Sequence, residues 1–338
     1  MPSSAPVRAL PSLASLAQLF PRRRVLVVGD LVADHYIYGQ TDRVSREAPV
    51  LIVNHESSEV KLGGGANAAA NARSLGGQVS AVGVVGRDEM GQQLRRLFKG
   101  AGISLQAATA PGVQTETKTR ILAGGLNTTR QQMLRLDRGN KGPLPARVRL
   151  ELVRLVAEAA RSADAVVVSD YGAGVVGAEL RQQLRKLAAD GLPVCADSRY
   201  QLRELRGLTA CKPNEPELEA LTGRRILTFA DLAAAGREAR KLLQCRALLV
   251  TRGRSGMAVF GEGDEPELIP VHGSEEAVDV TGAGDTVVAA FALALAAGAG
   301  FHDAARLANV AGGLVVMKQG TATVSRAELL RELGGRPA

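Results

Sequence analysis

The chain alternates short apolar runs of high β propensity with stretches of helical periodicity, and this alternation constrains its fold more than any other feature. The apolar runs cover residues 24–28, 79–85, 165–168, 193–196 and 247–251. The helical patterns cover residues 66–74, 91–99, 147–161, 177–189 and 231–244. This order predicts an α/β fold in which helices cover both faces of a mostly parallel sheet. We expect ligand sites at the carboxyl ends of its strands.

Two stretches interrupt the alternation. Residues 50–61 and 115–137 contain short alternating segments with no helix between them. They predict antiparallel ribbons that form a small β lid over the site and exclude water from it, although ordinary surface hairpins would give the same pattern.

The predicted domain organisation is one domain with a lid and two short ends. A loose N-terminal extension covers residues 1–22, the domain covers 23–334 and a tail covers 335–338. The lid strands are expected at about 36–61 and 113–137. Because exposed strand edges pair readily, we expect a homodimer formed through the lid.

Composition argues against two classes of partner. The net charge is +8, but aromatic residues make up only 3% of the 338 residues and Trp is absent, so stacking platforms for single-stranded nucleic acid are not expected. The longest uncharged apolar run, residues 286–302, is shorter than a membrane span of about 20 residues. The expected location is therefore the cytoplasm, with no membrane or nucleic-acid partner.

A glycine-rich segment precedes the apolar run at 287–300. Its sequence, DVTGAGDT over residues 279–286, lets the N–H groups of Gly282, Ala283, Gly284 and Asp285 converge at the positive end of a helix. Such an anion hole, with the Asp285 carboxylate at its rim, suits phosphoryl transfer to a hydroxyl. A carboxylate at a helix N-terminus is favoured as the anion, so we expect Asp285 to be a modest base.

A second glycine cluster, LGGGAN over residues 62–67, opens an earlier predicted helix. It allows close backbone approach, and the Asn67 side chain can bond hydroxyls. A flexible turn with a helix cap is the alternative.

The two clusters, in this order and separation, resemble the two signatures of the ribokinase-like sugar kinases, also called the phosphofructokinase B family. The resemblance runs from about residue 24 to about residue 332. It implies an enzyme that uses ATP and Mg²⁺, with Asp285 as catalytic base. It implies substrate contacts from Asp34, Gly64, Gly65, Asn67 and Asp170.

The same resemblance implies residues for the nucleotide and for cations. Nucleotide contacts are expected from Asn214, Glu217, Thr251, Gly253, Gly256 and Asn309. Glu217 is expected near Mg²⁺ through water, and Asp279 with the Thr281 carbonyl resembles a K⁺ site of some members. Asn214 and Glu217 could instead cap a helix, and Asp279 could cap its loop.

One branch of the family is most similar. RVSREAPV at 43–50, SDY at 169–171 and GTATV at 320–324 resemble kinases of D-glycero-D-manno-heptose 7-phosphate, which act in making the heptose of the lipopolysaccharide core. The expected product is the 1,7-bisphosphate. Because that substrate already carries a phosphate, cations should line the far end of the pocket, with Arg43, Lys118, Arg120 and Arg135 as candidates.

Two departures from that branch leave alternatives open. Ala173 replaces a common Lys, and Asp197-Ser198-Arg199 replaces Asp-Pro-Lys. The alternatives are a kinase of the same fold for fructose, ribose or a ketose phosphate, and a catalytically silent sugar- or nucleotide-binding regulator. No H-x-G-H nucleotidyltransferase motif occurs in the sequence, so a kinase without that activity is expected.

Overall fold

The computed structural model describes residues 12–125, 129–261, 263, 265–273 and 277–334. Within them the strands are β1 (Arg24–Gly29), β2 (Leu31–Val44), β3 (Leu51–Gly64), β4 (Gln78–Val84), β5 (Ser104–Ala108), β6 (Thr117–Gly124), β7 (Gln131–Arg138), β8 (Ala165–Asp170), β9 (Val194–Ser198), β10 (Ala210–Cys211), β11 (Ala247–Thr251), β12 (Met257–Phe260) and β13 (Glu267–Ile269). The helices are α1 (Leu13–Gln18), α2 (Gly65–Ser74), α3 (Glu89–Gly100), α4 (Ala146–Ala160), α5 (Ala178–Ala189), α6 (Glu215–Thr222), α7 (Phe229–Leu243), α8 (Ala283–Ala296), α9 (Phe301–Val315) and α10 (Arg326–Glu332).

The main sheet has nine strands in the order β13-β12-β11-β10-β9-β8-β1-β4-β5. The strands from β11 to β5 in this order pair in parallel, and β12 and β13 add an antiparallel edge. The predicted mostly parallel α/β sheet is confirmed.

Helices cover both faces of this sheet because side chains along its strands alternate between two cores. In β1, Val25 and Val27 join a core that includes residues of α2, α8 and α9, whereas Leu26 and Val28 join one that includes residues of α4, α5 and α7. Because β1 is buried on both faces, its sequence is a continuous run of apolar residues.

The lid is a second sheet of four strands in the order β3-β2-β6-β7. The β2–β3 and β6–β7 pairs are antiparallel as predicted, but the central β2–β6 pair is parallel, so the two ribbons form one sheet. The lid also begins at Leu31, earlier than the predicted 36, since β2 follows β1 after a single residue, Asp30.

The N-terminal segment differs from the prediction of a loose extension over residues 1–22. Residues 13–22 form α1 and a 3₁₀ turn, and Leu16, Ala17 and Phe20 are buried in the core. Apolar residues at 13, 16, 17 and 20 have helical spacing and give this segment a face to bury. The rest of the predicted extension, residues 1–11, and the predicted tail at 335–338 lie outside the described residues.

Candidate active site

Asp285 occupies the first turn of α8, at the carboxyl edge of the main sheet. Gly282 caps this helix with a φ of 79°, and an ideal Cβ there would come within 2.5 Å of the Asn67 amide nitrogen. Only glycine gives both the left-handed backbone and this close approach. The N–H groups of Gly284 and Asp285 belong to a first helical turn, which has no intrahelical acceptors, while the Ala283 N–H bonds the Val280 carbonyl at 3.2 Å.

The Asp285 carboxylate is 2% exposed and accepts hydrogen bonds from two side chains. Asn67 donates its amide to Oδ2 at 2.9 Å, and the Tyr171 hydroxyl lies 3.2 Å from both oxygens. Burial raises the pKa of Asp285 to about 7. The negative charge of Asp197 also raises it, whereas these two hydrogen bonds and the positive charge of Lys212 lower it. The loss of water therefore outweighs the helix N-terminus, which was expected to favour the anion.

A buried ion pair lies beside the same helix end, and sequence reasoning missed it. Lys212 Nζ contacts Asp197 Oδ2 at 3.0 Å, with side chains 7% and 17% exposed. An ideal Cβ at Gly284 would lie 3.2 Å from Nζ, so this glycine leaves room for the lysine. Lys212 brings positive charge to the predicted anion hole, and its position next to Pro213-Asn214 was the only clue in the sequence.

Asp34 lies on the inner face of the lid, where it is 4% exposed. Arg120 of the adjacent strand donates to Oδ1 at 2.6 Å. Gly63 faces Asp34, and an ideal Cβ there would lie 2.4 Å from Oδ2. The predicted substrate residues Asp34 and Arg120 therefore lie together, as an ion pair on neighbouring strands.

A cleft of about 810 Å³ separates the inner face of the lid from the loop before α8. Three cations line it, Lys61, Arg120 and Arg130, and only Arg120 was predicted. Lys61 and Arg120 lie over the Tyr36 ring at 5.2 and 5.4 Å, and Arg130 lies over the Tyr38 ring at 5.4 Å. Lys61 and Arg130 were missed because register, and not sequence distance, places them here.

The other predicted cations lie in different surroundings. Lys118 lies over the Tyr171 ring at 4.8 Å, and burial lowers its pKa. Arg135 is exposed and pairs with Asp137 at 2.9 Å. Arg43 is exposed nine positions beyond Asp34 on β2, on the order of 30 Å away along the strand. Neither Arg43 nor Arg135 is among the residues that line the cleft under the lid.

Asp170, a predicted substrate group, is directed into the protein. Its Oδ2 accepts from Ser198 Oγ at 2.6 Å and its Oδ1 from the Gly172 N–H at 3.1 Å. Its neighbour Asp30 is fully buried and accepts backbone N–H groups of Tyr171 and Ala173 at 2.7 and 3.0 Å. Burial raises the pKa of Asp30 to about 6. Both carboxylates shape the loop that carries Tyr171.

The two predicted substrate glycines, Gly64 and Gly65, form the entrance to α2. Gly64 is the N-cap with a φ of 54°, and the Gly65 N–H donates to the Asp30 carbonyl at 2.8 Å. The Gly65 N–H is thus already bonded within the protein.

The predicted nucleotide residues Asn214, Glu217 and Thr251 lie at the same carboxyl edge of the main sheet, at the ends of β10 and β11. Asn214 and Glu217 form a reciprocal capping box at the start of α6, with bonds of 2.8 and 3.0 Å. The alternative capping role is therefore present. Thr251 pairs with Asn214 in an isolated bridge. Burial raises the pKa of Glu217, whose charged surroundings include Lys212 and Asp197.

The remaining nucleotide candidates surround the start of β12. Gly253 begins a 3₁₀ turn and Gly256 caps its end, where an ideal Cβ would lie 2.1 Å from the Ile269 carbonyl oxygen. Asn309 on α9 donates its amide to the Pro270 carbonyl at 2.8 Å. These contacts make Gly256 and Asn309 parts of the local backbone framework.

Asp279 holds the loop before α8. Its oxygens accept the backbone N–H groups of Thr281 and Gly320 at 2.8 and 2.9 Å. Burial opposes its ionisation, but these hydrogen bonds outweigh burial and lower the pKa of Asp279. The predicted loop-capping alternative is therefore present, and the anionic carboxylate with nearby carbonyls is also a donor set that suits a hard cation. Among the described residues, no group of three or more His, Cys, Asp or Glu is arranged to hold a metal.

Residues 22–328 match the model of the pfkB family carbohydrate kinases. The chain belongs to this family. Members of this family are carbohydrate kinases, enzymes that transfer a phosphoryl group to a sugar hydroxyl. The match covers the lid, both glycine clusters and Asp285.

Curated relatives named "Bifunctional protein HldE" share substantial sequence with the chain. The protein of Desulfatibacillum aliphaticivorans is 38% identical over 322 residues, covering 94% of this chain and 65% of its own length. The protein of Caulobacter vibrioides is 39% identical over 324 residues, with 94% and 65% covered. The chain thus spans just under two thirds of these relatives.

Solved structures share the fold. Ribokinase of Arabidopsis thaliana, complexed with ribose and ATP, has a TM-score of 0.72 at 24% identity, with 92% of this chain and 98% of that one covered. Phosphofructokinase-2 of Escherichia coli, in complex with fructose-6-phosphate, has a TM-score of 0.73 at 19% identity and the same coverage. The predicted ribokinase-like fold is confirmed. Among the described residues, no helix combines the length and apolar character needed to cross a membrane.

Proposed function

We propose that the acceptor is D-glycero-D-manno-heptose 7-phosphate and the product its 1,7-bisphosphate. The observation that carries this proposal is the cationic cleft under the lid, lined by Lys61, Arg120 and Arg130. A sugar that already bears a phosphate needs such groups, and guanidinium groups can hold phosphate in a bidentate manner. The resemblance of residues 43–50 and 320–324 to heptose 7-phosphate kinases supports the same acceptor.

In this proposal the sugar binds between Asp34 and the N-terminus of α8. Asp285 accepts the proton of the attacking hydroxyl, and its pKa of about 7 suits a base that works near neutral pH. The first-turn N–H groups of α8 and the Lys212 ammonium stabilise negative charge on the transferred phosphoryl group. The lid excludes water, which would otherwise compete as acceptor.

ATP is proposed to lie across residues 214–217 and 251–256, next to Asn309. Mg²⁺ would neutralise the phosphates, with Glu217 holding it through water. The half-buried carboxylates of Glu217 and Asp197 are oxygen donors of the kind that Mg²⁺ prefers. Asp279 and the Thr281 carbonyl are proposed for K⁺. The cytoplasm, where ATP is available, is the proposed site of action.

A screen of acceptors tests the proposal. ADP release is measured with the purified chain, ATP and Mg²⁺ across heptose 7-phosphate, fructose, ribose and their phosphates. We expect the highest kcat/KM with the heptose phosphate. Preference for an unphosphorylated sugar would overturn the acceptor. Binding of sugar with no ADP release from any acceptor would favour the silent regulator.

Another sugar phosphate is the second candidate acceptor. Ala173 and Arg199, which depart from the heptose kinase pattern, lie on the loops that follow β8 and β9 at the carboxyl edge of the main sheet. If these loops select the acceptor, the screen will favour a ketose phosphate over the heptose phosphate.

A further inference from the structure

A chain of buried side chains connects Asp285 to α2, and neither Asn71 nor Thr286 in it has a role in the predicted site. Thr286 follows Asp285 on α8, and its hydroxyl donates to Asn71 Oδ1 at 2.8 Å. The Asn71 amide donates to Asn67 Oδ1 at 3.2 Å, and the Asn67 amide donates to Asp285 at 2.9 Å. Thr286 and Asn71 are fully buried, and Asn67 is 1% exposed.

The surroundings fix the orientation of each amide. The Asn71 nitrogen faces two backbone carbonyls, those of Asn67 at 3.1 Å and Ala322 at 3.5 Å. A flipped amide would direct its oxygen at both carbonyls and away from the Thr286 hydroxyl. Asn71 therefore directs its NH₂ group towards the side where Asn67 Oδ1 lies, and its two hydrogens are shared among Asn67 Oδ1 and the two carbonyls.

This constraint passes to Asp285. With its oxygen bonded to Asn71, Asn67 has only its NH₂ group left for the carboxylate. A free Asn67 could rotate and place its oxygen against Asp285, which would replace an attraction with a repulsion. The helices α2 and α8 are also linked twice, since adjacent residues of α8 bond residues of α2 that are four positions apart.

We propose that Asn71 and Thr286 are positioning residues for the catalytic base, which fix the amide of Asn67 so that it donates to Asp285. Neither residue contacts the reacting atoms in this scheme. The proposal rests on the role of Asp285 as base, and it is independent of which sugar is the acceptor.

Other charged and titratable groups around Asp285 remain in place when this chain is broken. Tyr171 on the β8–α5 loop donates to the carboxylate, Asp197 after β9 adds negative charge, and Lys212 after β10 adds positive charge. A base acts when deprotonated, so turnover rises with pH through the pKa of Asp285. Loss of the hydrogen bond from Asn67 favours the protonated form and moves this rise to higher pH.

The test measures kcat and KM against pH for Asn71→Ala and Thr286→Val, with the best acceptor of the screen. We expect kcat at pH 7 to fall about tenfold or more, KM to change less than about threefold, and the acidic limb of kcat to move up by about one pH unit. Thr286→Ser keeps the hydroxyl and should return the limb towards its original pH.

The matched control is Asn140→Ala. The Asn140 side chain also makes hydrogen bonds, with the backbone N–H and carbonyl of Gln114. It lies in the loop before α4 and belongs to neither α2 nor α8. Asn140→Ala should leave the acidic limb of the kcat–pH profile unchanged. Unchanged kcat and limb in folded Thr286→Val would overturn the positioning role. If Asp285→Asn retained turnover, the base assignment itself would fail, and this outcome is distinct because it does not involve Asn71.

Discussion

At the scale of single residues, Asp285 shows how burial controls reactivity. The helix N-terminus and two hydrogen bonds favour its anion, but the loss of water raises its pKa to about 7. A solvated aspartate at that helix end would be too weak a base to take a proton efficiently near neutral pH. The same burial makes the ionised form of Asp285 costly to the folded state.

Asp285→Asn should lower turnover by several orders of magnitude, because positioned proton transfer and the local charge are both lost. ADP release at saturating substrate measures the loss, and circular dichroism checks the fold. Near-normal turnover would remove Asp285 from the mechanism.

The same substitution should stabilise the fold at alkaline pH. The folded-state pKa of Asp285 is raised above the unfolded value of about 3.9, so the carboxylate costs stability increasingly as pH rises from there to about 7. Asp285→Asn removes this cost, which is at most about 4 kcal/mol at pH 8. Urea unfolding at pH 8 and pH 4.5 measures it. An equal gain at both pH values would contradict the link to ionisation.

At the scale of elements, the helix α1 and the turn after it belong to the folded domain. Phe20 is fully buried against the main core. Phe20→Ala should lower the free energy of unfolding by about 3–5 kcal/mol, whereas Gln18→Ala, at an exposed position of α1, should change it by less than about 0.5 kcal/mol. Urea denaturation measures both. If both substitutions changed the free energy of unfolding by the same small amount, residues 13–22 would be a loose extension and not part of the folded domain.

The inner face of the lid is expected to recognise the phosphate that the acceptor already carries. Lys61→Met and Arg130→Gln should each raise KM for a sugar phosphate about tenfold or more, with a smaller change in kcat. Arg96→Gln, at an exposed site on α3, is the control and should leave KM unchanged. Initial rates with a sugar phosphate and its unphosphorylated sugar separate phosphate recognition from general damage. Equal losses with both acceptors would count against the phosphate contact.

At the scale of the whole molecule, the lid carries apolar surface that a second copy could cover. Leu134 and Leu136 on β7 are 56% and 47% exposed, and β7 is an edge strand of the lid. We propose a homodimer through the lid, because such an edge with an apolar face favours association. Leu134→Glu with Leu136→Glu should convert a dimer to a monomer in analytical ultracentrifugation.

The exposed leucine of α4 provides the control for the dimer. Leu150 is 63% exposed outside the lid, so Leu150→Glu should leave the dimer intact. A monomer of the unmodified chain at micromolar concentration would contradict the proposal.

Local sequence patterns were sufficient to predict the main sheet, the starts of α2 and α8, and the position of Asp285 in the first turn of a helix. Runs such as residues 165–168 and 247–251 predict strands because parallel strands are buried on both faces. Two glycine clusters predict helix N-termini because close backbone approach needs glycine at those points. These properties depend on residues that are near one another in the chain.

The chemistry of the site depended on contacts between distant segments. Lys212 lies beside Gly284 and Asn67 bonds Asp285, although these partners are separated by 72 and 218 positions. Lys61 and Arg130 meet in one cleft only because β2 and β6 pair in parallel. The sequence by itself determined the α/β architecture and the residue types at the start of α8. The tertiary structure decided the pKa of Asp285 and the residues that line the cleft, because desolvation and strand register arise only when the chain has folded.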